Sequence, residues 1–568
     1  MDSTALAPYL TALAVVVPAT LVARRVVRRW MLAHFTGVLD VAGLGTPRKG
    51  GKIDGTAVIC GGSIGGLLAA RVLSDHFTRV LVVEPEAWAL SDDAAAAPAF
   101  GTREVSSDAG AYATIAHKRS RVYQYTAIHV YQVLLTRVLR ALFPGFDALA
   151  AERGIRLQAA DLATRFSGWG FRPPYKDYNG KLPEVLFTSR RNLEPALRTL
   201  VRSTAPNIEY VQGTVTALVL APGNKRVDAV RVREGDAERD IACALALDCT
   251  GASQVGLKLL ARALPEHAAT LTGLRENYDP QMNYVTLELP TPPGFEAALA
   301  KLQIDRGLPA GSSAWRGPED TSAAAAPWWT VCAPDPDVDY RAVFVGRCER
   351  GIVYGAGGWA SDLPVTLEQV REYAKGAQGD FPVPQLFFDI VDLCEPVQDQ
   401  ATVFEARINS CSRVKYETAT KILPRNYVAL GDSTMRLNPR FGEGVTKAAL
   451  GVTTLDGVLR RNRGTDIGPA FFATMAPRTQ GLWDAARFTD YGRATTTPVP
   501  GESLSDGAFQ RWYKSRLNRV MARDDYASSA LWHSIMFLTP SLDLMAPSIL
   551  FKVLWEAAFP TAPFVRRA

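Results

Sequence analysis

The chain is poor in the groupings that build metal centres and disulfide frameworks. Its seven cysteines (60, 243, 249, 332, 348, 394 and 411) contain no CxxC spacing and are odd in number. A disulfide scaffold is therefore excluded, and they read as small core side chains in a reducing compartment. The six histidines are scattered and none forms an HExxH or comparable ligand pair, so no metal site is expected. Charge surplus is small as well, a net of +6 over 568 residues. Much of it sits at the two ends, in Arg24, Arg25, Arg28 and Arg29 and then Arg566 and Arg567. A nucleic-acid partner needs cations spread over a folded face, so that class is set aside. Internal repeats and long low-complexity tracts are absent, which removes repeat-built and disordered architectures.

What remains is an ordinary globular composition, 47% hydrophobic and 21% charged, long enough for roughly two to four structural units. The N-terminus stands apart. Ala5 to Ala23 is a run of 19 residues without a charge, followed at once by the four arginines. A bilayer core takes about 20 apolar residues, and Pro8 and Pro18 are tolerated in membranes. The run therefore predicts a single-pass anchor with Met1 outward and the folded body on the cytosolic side. An amphipathic helix docked on the protein's own surface is the alternative. A cleaved signal peptide is disfavoured because the charges follow the apolar run.

The most informative stretch is Cys60-Gly61-Gly62-Ser63-Ile64-Gly65-Gly66. It follows the apolar strand Thr56–Ile59 and opens the apolar helix Leu67–Leu73. A second strand, Val80 to Val83, then ends in Glu84. This is the sequence of a β-α-β dinucleotide unit, in which helix-start N–H groups face a pyrophosphate and the acid accepts from a ribose. Gly61 takes the tight-turn position and Gly66 the close helix–strand contact. Ser63 stands where the middle glycine is usual; it is small enough for backbone approach, and its hydroxyl could donate to the phosphate. A tight turn without ligand is the bland reading.

Further along, Asn179-Gly180 between Phe171-Arg172 and Glu184–Thr188 predicts a type I′ hairpin. Helices are predicted over 127–142 and 192–203. Strands are predicted at 208–211, 217–220, 229–232 and 244–249. Between about 270 and 400 the pattern turns to alternating strands (284–289, 329–333, 342–346, 352–354) and a helix at 367–377, which reads as an inserted antiparallel sheet. Trp328, Trp329, Tyr354 and Trp359 are its candidate pocket wall, with a simple core as the alternative. The last forty residues hold two apolar helices, 530–538 and 548–559, either interfacial or closing the pocket from within.

Val428-Ala429-Leu430-Gly431-Asp432 is a second strand ending in an acid, with Pro439, Gly442, Glu443 and Gly444 ahead of a helix from Val445. With Ser433-Thr434, Asn438, Phe441 and Ala448-Ala449-Leu450, this segment resembles the flavoprotein monooxygenases of the p-hydroxybenzoate hydroxylase and squalene epoxidase kind. It is most similar to the polyether-type epoxidases and the fungal FAD-dependent monooxygenases. The resemblance runs from about Thr56 to Leu459. It implies one FAD stretched between the two glycine regions, with Gly61, Gly62, Ser63, Gly65, Gly66 and Glu84 at the adenosine end. It implies that Asp432 binds the ribityl hydroxyls and that Pro439, Gly442 and Gly444 face the isoalloxazine O2, where positive helix-end potential suits the reduced flavin. Arg190, with Leu193, matches an Arg-x-x-Leu helix start near the pyrophosphate, Gln124 to His129 matches a segment lining the flavin, and Asp248-Cys249-Thr250-Gly251 matches a strand end. Arg121 could pair with phosphate or with a nearby acid, and His129 could as well be a core histidine.

The implied fold is α/β (α+β). An FAD-binding Rossmann-like domain (53–130, 188–265, 406–462) interleaves with an antiparallel-sheet substrate domain (131–187, 266–405), between an anchor (1–30) and a helical C-terminal region (463–568) that is either membrane-associated or closes the pocket. The implied activity is membrane-anchored monooxygenation with NAD(P)H, directly or through a reductase partner, and molecular oxygen. A flavin C4a-hydroperoxide would epoxidise or hydroxylate a lipophilic terpenoid or polyene. No catalytic side chain is named. The histidine common after Gly-Asp in aromatic hydroxylases is missing, with Met435 and Arg436 nearby instead, which moves the expectation towards epoxidation. The rivals are a flavin-dependent reductase or cyclase of the same fold and a non-catalytic binding protein on that scaffold.

Overall fold

The computed structural model describes residue 19 and residues 21–305 and 330–561, apart from 98–100, 109, 171, 336, 350, 359–362, 409 and 463–465. Strand β1 (Ile53–Cys60) carries the run Ala57-Val58-Ile59-Cys60, buried on both faces, as the centre of a parallel sheet requires. It pairs on one side with β2 (Phe77–Glu84), which pairs with β3 (Ile208–Gln212). On the other side it pairs with β4 (Leu245–Asp248), and β4 with β5 (Tyr427–Ala429). The spatial order is β5-β4-β1-β2-β3, parallel throughout. The register sets Cys60 against Val83 and Asp248, and Asp248 against Ala429. Strand ends from distant stretches of the chain thus share one carboxyl edge, where ligands bind in sheets of this kind. Three helices cover the edge's neighbourhood: α1 (Ile64–Ser74) packs against both α2 (Arg190–Thr204) and α3 (Gly444–Arg461).

A second sheet of seven strands lies beside this unit. Its spatial order is Thr402–Arg407, Asn283–Pro290, Gly351–Gly358, Ala342–Arg347, Thr330–Ala333, Thr164–Phe166 and Trp169–Gly170. Neighbours are antiparallel except Thr330–Ala333 and Thr164–Phe166, which run parallel. The period-2 alternation of strands decides what each face meets. Leu287, Leu289, Ile352 and Tyr354 join Phe387, Ile390 and Val391 of the helix Gln385–Cys394 in a core of their own. Thr286 faces the other way, where its Oγ1 accepts from Ile128 N–H (2.9 Å). Tyr354 is therefore core rather than pocket wall, its hydroxyl 3.4 Å from Cys394 Sγ. The other wall candidates, Trp328, Trp329 and Trp359, lie outside the described residues.

Two local expectations need correction. The helix predicted from residue 127 begins at Val133, because the chain before it bonds to neighbours instead of to itself. Ile128 N–H goes to Thr286, and Gln132 N–H to Thr446 Oγ1 (3.3 Å). Asn179 and Gly180 do both have positive φ, yet they close a short 3-10 helix (Tyr175–Tyr178), not a hairpin. Strand Glu184–Phe187 pairs with Arg156–Ala159, its actual partner. The turn signal was right and its partner was not, since pairing is settled by tertiary contacts that a dipeptide does not carry.

The last helices, Ala508–Met521, Asp525–Ile535 and Pro547–Ala558, share a small core around Tyr513, Leu517, Ile549 and Val553. The opposite side of Pro547–Ala558 leaves Phe551, Leu554 and Trp555 exposed, the last at 58%. A helix over residues 21–35 also exposes Val22, Val26, Val27 and Trp30. Arg28 joins the two regions by donating to both carboxylate oxygens of Asp543 (2.7 and 2.8 Å). No helix among the described residues is long and apolar enough to cross a membrane. Most of the Ala5–Ala23 run lies outside them.

Helix α3 is anchored by a buried acid. His76 Nε2 lies 2.8 Å from Asp456 Oδ1, and Arg460 Nε donates to Asp456 Oδ2 at 2.7 Å. Burial would raise the Asp456 carboxyl, but the hydrogen bonds from His76 and Arg460 override it and hold it below its usual value. Asp456→Asn is expected to cost about 2–3 kcal/mol at neutral pH, read as a lower urea midpoint. A depressed carboxyl stabilises above its unfolded-state pKa and stops doing so as pH falls through its folded one. The gap between wild type and variant should therefore close in acid. An unchanged midpoint at pH 7 would show that the contact contributes nothing.

Candidate functional site

The site is built at the carboxyl edge, beginning with the turn after β1. Gly61 has φ +112°, and a Cβ there would stand 2.5 Å from the Cys249 carbonyl oxygen. Only glycine fits both constraints. A Cβ at Gly66 would collide with the Gly61 carbonyl oxygen, so helix α1 starts hard against its own turn. Ser63 is the N-cap in extended conformation, but its side chain does not cap the helix. The hydroxyl instead donates to Glu194 Oε2 (3.0 Å) and accepts from Arg190 Nη2 (2.9 Å). The hydroxyl proton is thus directed to Glu194 and not, as expected, to a phosphate, while its oxygen holds Arg190 beside the turn.

Glu84, at the end of β2, is buried and fully engaged. Its Oε2 accepts from Gly62 N–H (2.8 Å), and its Oε1 from Glu86 N–H (3.1 Å) and Arg119 Nη1 (3.0 Å). Arg119 also reaches Glu86 and Glu194, while Arg198 donates to Glu194 Oε1 at 2.6 Å. Buried charges persist only when paired and hydrogen-bonded, and here each acid has its cation. Burial alone would raise the fully enclosed Glu194 carboxyl; Arg198, Arg119 and Arg190 outweigh it and hold the group far below the usual carboxylate range. Arg119 is the residue that sequence reasoning missed. Arg121, two positions on, is exposed and joins only through its backbone N–H, which donates to Glu86 Oε1 (2.8 Å). Two nearby arginines look alike in sequence, and the path of an irregular segment decides which one turns inward. The neighbouring pair Arg190 and Arg191 also separates: Arg190 stays at the turn, and buried Arg191 bonds Glu288 on the seven-stranded sheet.

At the other end, β5 runs into Gly431, whose φ is +67°. Gly65 lies close to this region: a Cβ on it would stand 3.5 Å from Leu430 Cδ1 and 4.0 Å from Ala448 Cβ of α3. The two glycine regions, nearly four hundred residues apart in sequence, are neighbours in space. Asp248 joins them. Its Oδ1 accepts from Thr250 N–H (2.8 Å), Thr250 Oγ1 (2.7 Å) and Ser433 Oγ (3.1 Å), and Ser433 Oγ accepts from Gly251 N–H (2.9 Å). Asp432 stands half out of the protein at 42% exposure, with Lys447 Nζ 2.9 Å from its Oδ1.

Pro439 opens a 3-10 turn, and Gly442 (φ +67°) ends it with its carbonyl oxygen accepting from Gln132 Nε2 (3.3 Å). Helix α3 then starts with no side-chain cap. A Cβ on Gly444 would meet nothing within 4 Å, so there is open space before this helix start. Gln124 is half-buried, with its side chain near the Tyr284 hydroxyl of the neighbouring sheet. His129 Nδ1 lies 2.9 Å from the Ala127 carbonyl, and burial, helped by Arg190, pushes the ring down to about 4. It is a neutral histidine at pH 7. Burial also pushes the Glu443 carboxyl up to about 7, against the opposing pull of Lys447 and Lys514.

These residues fit a long anionic dinucleotide. Two neighbouring helices present uncapped N-termini, which carry partial positive charge and unfilled N–H donors. Arg190 lies at one of them, and an exposed acid with open space lies near the other. The residues that could hold FAD are thus Gly61 to Gly66 with Arg190 at one end, and Asp432 with the Pro439–Gly444 turn at the other.

No family model and no curated protein matches the chain. Solved structures do. The flavin-dependent brominase Bmp2 aligns over 89% of this chain and 99% of its own, at 12% identity and a TM-score of 0.53. A flavoprotein/dehydrogenase from Cytophaga hutchinsonii aligns over 89% and 98%, at 12% identity and 0.50. The likeness is one of fold: the chain shares the mixed α/β architecture of these two flavoproteins.

Arg119 holds this end together, so Arg119→Met should leave Glu84, Glu86 and Glu194 short of a cation. The expected loss is about 3–5 kcal/mol, measured by chemical denaturation. Wild-type stability in that variant would show that Arg190 and Arg198 suffice.

Proposed function

We propose that the chain is an FAD-dependent monooxygenase that works at a membrane and places one oxygen atom on a lipophilic substrate. The observation that carries this reading is the adjacency of two uncapped helix starts, of α1 and α3, at one sheet edge. When bound, FAD would supply the activation of molecular oxygen, with NAD(P)H as the source of electrons, directly or through a reductase partner.

The chain's own residues have separate tasks. The α1 start and Arg190 would hold the pyrophosphate, and the Ser63 hydroxyl keeps that arginine in place. Asp432 would accept from the ribityl hydroxyls. The turn through Gly442 would give backbone approach to the ring, and Gly444 would leave room for it. The α3 start would add positive potential where negative charge builds up on reduction. Glu443, with its carboxyl near neutrality, is the group beside this space best suited to carry a proton. Transfer of an electrophilic oxygen to an alkene needs no side-chain base. An epoxide from a terpenoid or polyene is therefore the product this reading favours over a ring hydroxyl, in keeping with the resemblance of the Gly431–Leu450 segment.

Membrane association rests on two observations of different kinds. One is the uncharged run from Ala5 to Ala23 with four arginines after it. The other is the apolar ridge of Pro547–Ala558 beside the helix over 21–35, tied to it through Arg28 and Asp543. Aromatic and aliphatic side chains next to arginines suit the lipid headgroup boundary.

Two measurements test the reading. Purified protein should be yellow, and Gly444→Leu, which fills the open space, should lower FAD affinity at least tenfold by fluorescence titration. Turnover under labelled dioxygen should put the label in the product. Product without label would move the chain to the flavin-dependent reductases or cyclases, and colourless protein that takes up no FAD would remove flavin chemistry altogether. For the membrane, full-length protein should float with phosphatidylcholine–phosphatidylserine vesicles. The double variant Phe551→Ser, Trp555→Ser should float several-fold less, and wild-type protein left at the bottom of the gradient would end the membrane reading.

A further inference from the structure

Lysine is almost never fully buried without partners, yet Lys447 is 1% exposed in the first turns of α3. Its ammonium donates to Asp432 Oδ1 (2.9 Å), to the Gly431 carbonyl (3.3 Å) and to the Met435 carbonyl. Three donors thus meet three acceptors, all on the turn that follows β5. Its backbone N–H donates to the Glu443 carbonyl (2.8 Å), so the side chain is carried by a rigid helix. Asp432 is the more exposed partner, with 42% of its side chain accessible.

We infer that Lys447 is a positioning and charge-balancing residue that sets the reduction potential of the bound flavin. The inference rests on FAD being held at Asp432, as proposed above. A carboxylate that accepts from the ribityl chain brings a full negative charge towards a ring that itself becomes anionic on reduction. Unbalanced, that charge would disfavour the reduced form. Lys447 neutralises it from the protein side while leaving the other carboxylate oxygen for the ligand, and it pins the 431–435 turn so that Asp432 cannot swing away.

The experiment measures midpoint potentials of FAD-loaded protein by dye-coupled reduction, with far-UV circular dichroism as the folding control. Lys447→Met should destabilise the reduced flavin relative to the oxidised form about tenfold, a drop of about 30 mV for a two-electron couple. Asp432→Asn should shift the potential the opposite way, because it leaves the lysine unbalanced. The double variant should return towards wild type, and Lys447→Arg should keep the wild-type value. A purely structural lysine would predict weaker FAD binding with no such sign pattern. Equal potentials in all FAD-loaded forms that fold would overturn the inference. The two opposite-signed single variants keep it open to refutation if one of them does not fold. Wild-type protein that takes up no FAD would instead overturn the functional reading on which the inference rests.

Discussion

The carboxylate of Asp248 is enclosed by protein and surrounded by donors from three directions: Thr250 on its own turn, Ser433 on the turn after β5, and Gly256 N–H at the start of the next helix (3.1 Å). Burial raises the group, and the hydrogen bonds from Thr250 and Ser433 pull against that rise. A buried acid left short of those bonds would cost several kcal/mol. The geometry of the Gly251 and Gly431 turns is therefore coupled. Everything on the turn after β5 inherits that coupling, including the position of Asp432, the path to Gly442 and the starting point of α3. The approach of α3 to Gly65 follows, since β5 leads directly into the loop that delivers it.

The turn after β1 is organised by a different principle. There the chain concentrates charge, with Glu84, Glu86 and Glu194 set against Arg119, Arg190 and Arg198. Such a network is weak evidence for net stability, because desolvation offsets much of the attraction. Its use is conformational. It locks α2 to the glycine turn through Ser63 and Glu194, and it leaves Arg190, the least buried of the three arginines, at the edge where an anion would lie. Two helix starts and one arginine can then act together without rearranging when a ligand arrives, which is what preorganisation means in energetic terms.

The seven-stranded sheet separates two tasks by the alternation of its side chains. One face closes against its own helices in a core, and the other meets Ile128 and the buried Arg191. That shared boundary gives the sheet a fixed place relative to the five-stranded unit. At the far side, the arginine of an N-terminal helix and the aspartate of a C-terminal turn bring two apolar ridges together. Chain ends distant in sequence thus present one surface.

Local chemistry was legible in the sequence. The run Thr56–Ile59, the turn Gly61 to Gly66, the strand ending at Glu84 and the helix from Gly444 all have short-range causes: apolar runs of strand length, glycines where φ is positive, and a helix that needs a start. Most strands of the inserted sheet could be read in the same way, from alternation alone. Folding in three dimensions decided the rest. Arg119 rather than Arg121 turned inward, Glu184–Phe187 found its partner at Arg156–Ala159, Tyr354 went to the core, and Lys447 reached back to Asp432. Each outcome depends on which groups from remote segments arrive at the same place. A sequence motif records the backbone a residue needs, whereas pairing and burial are set by neighbours it cannot name.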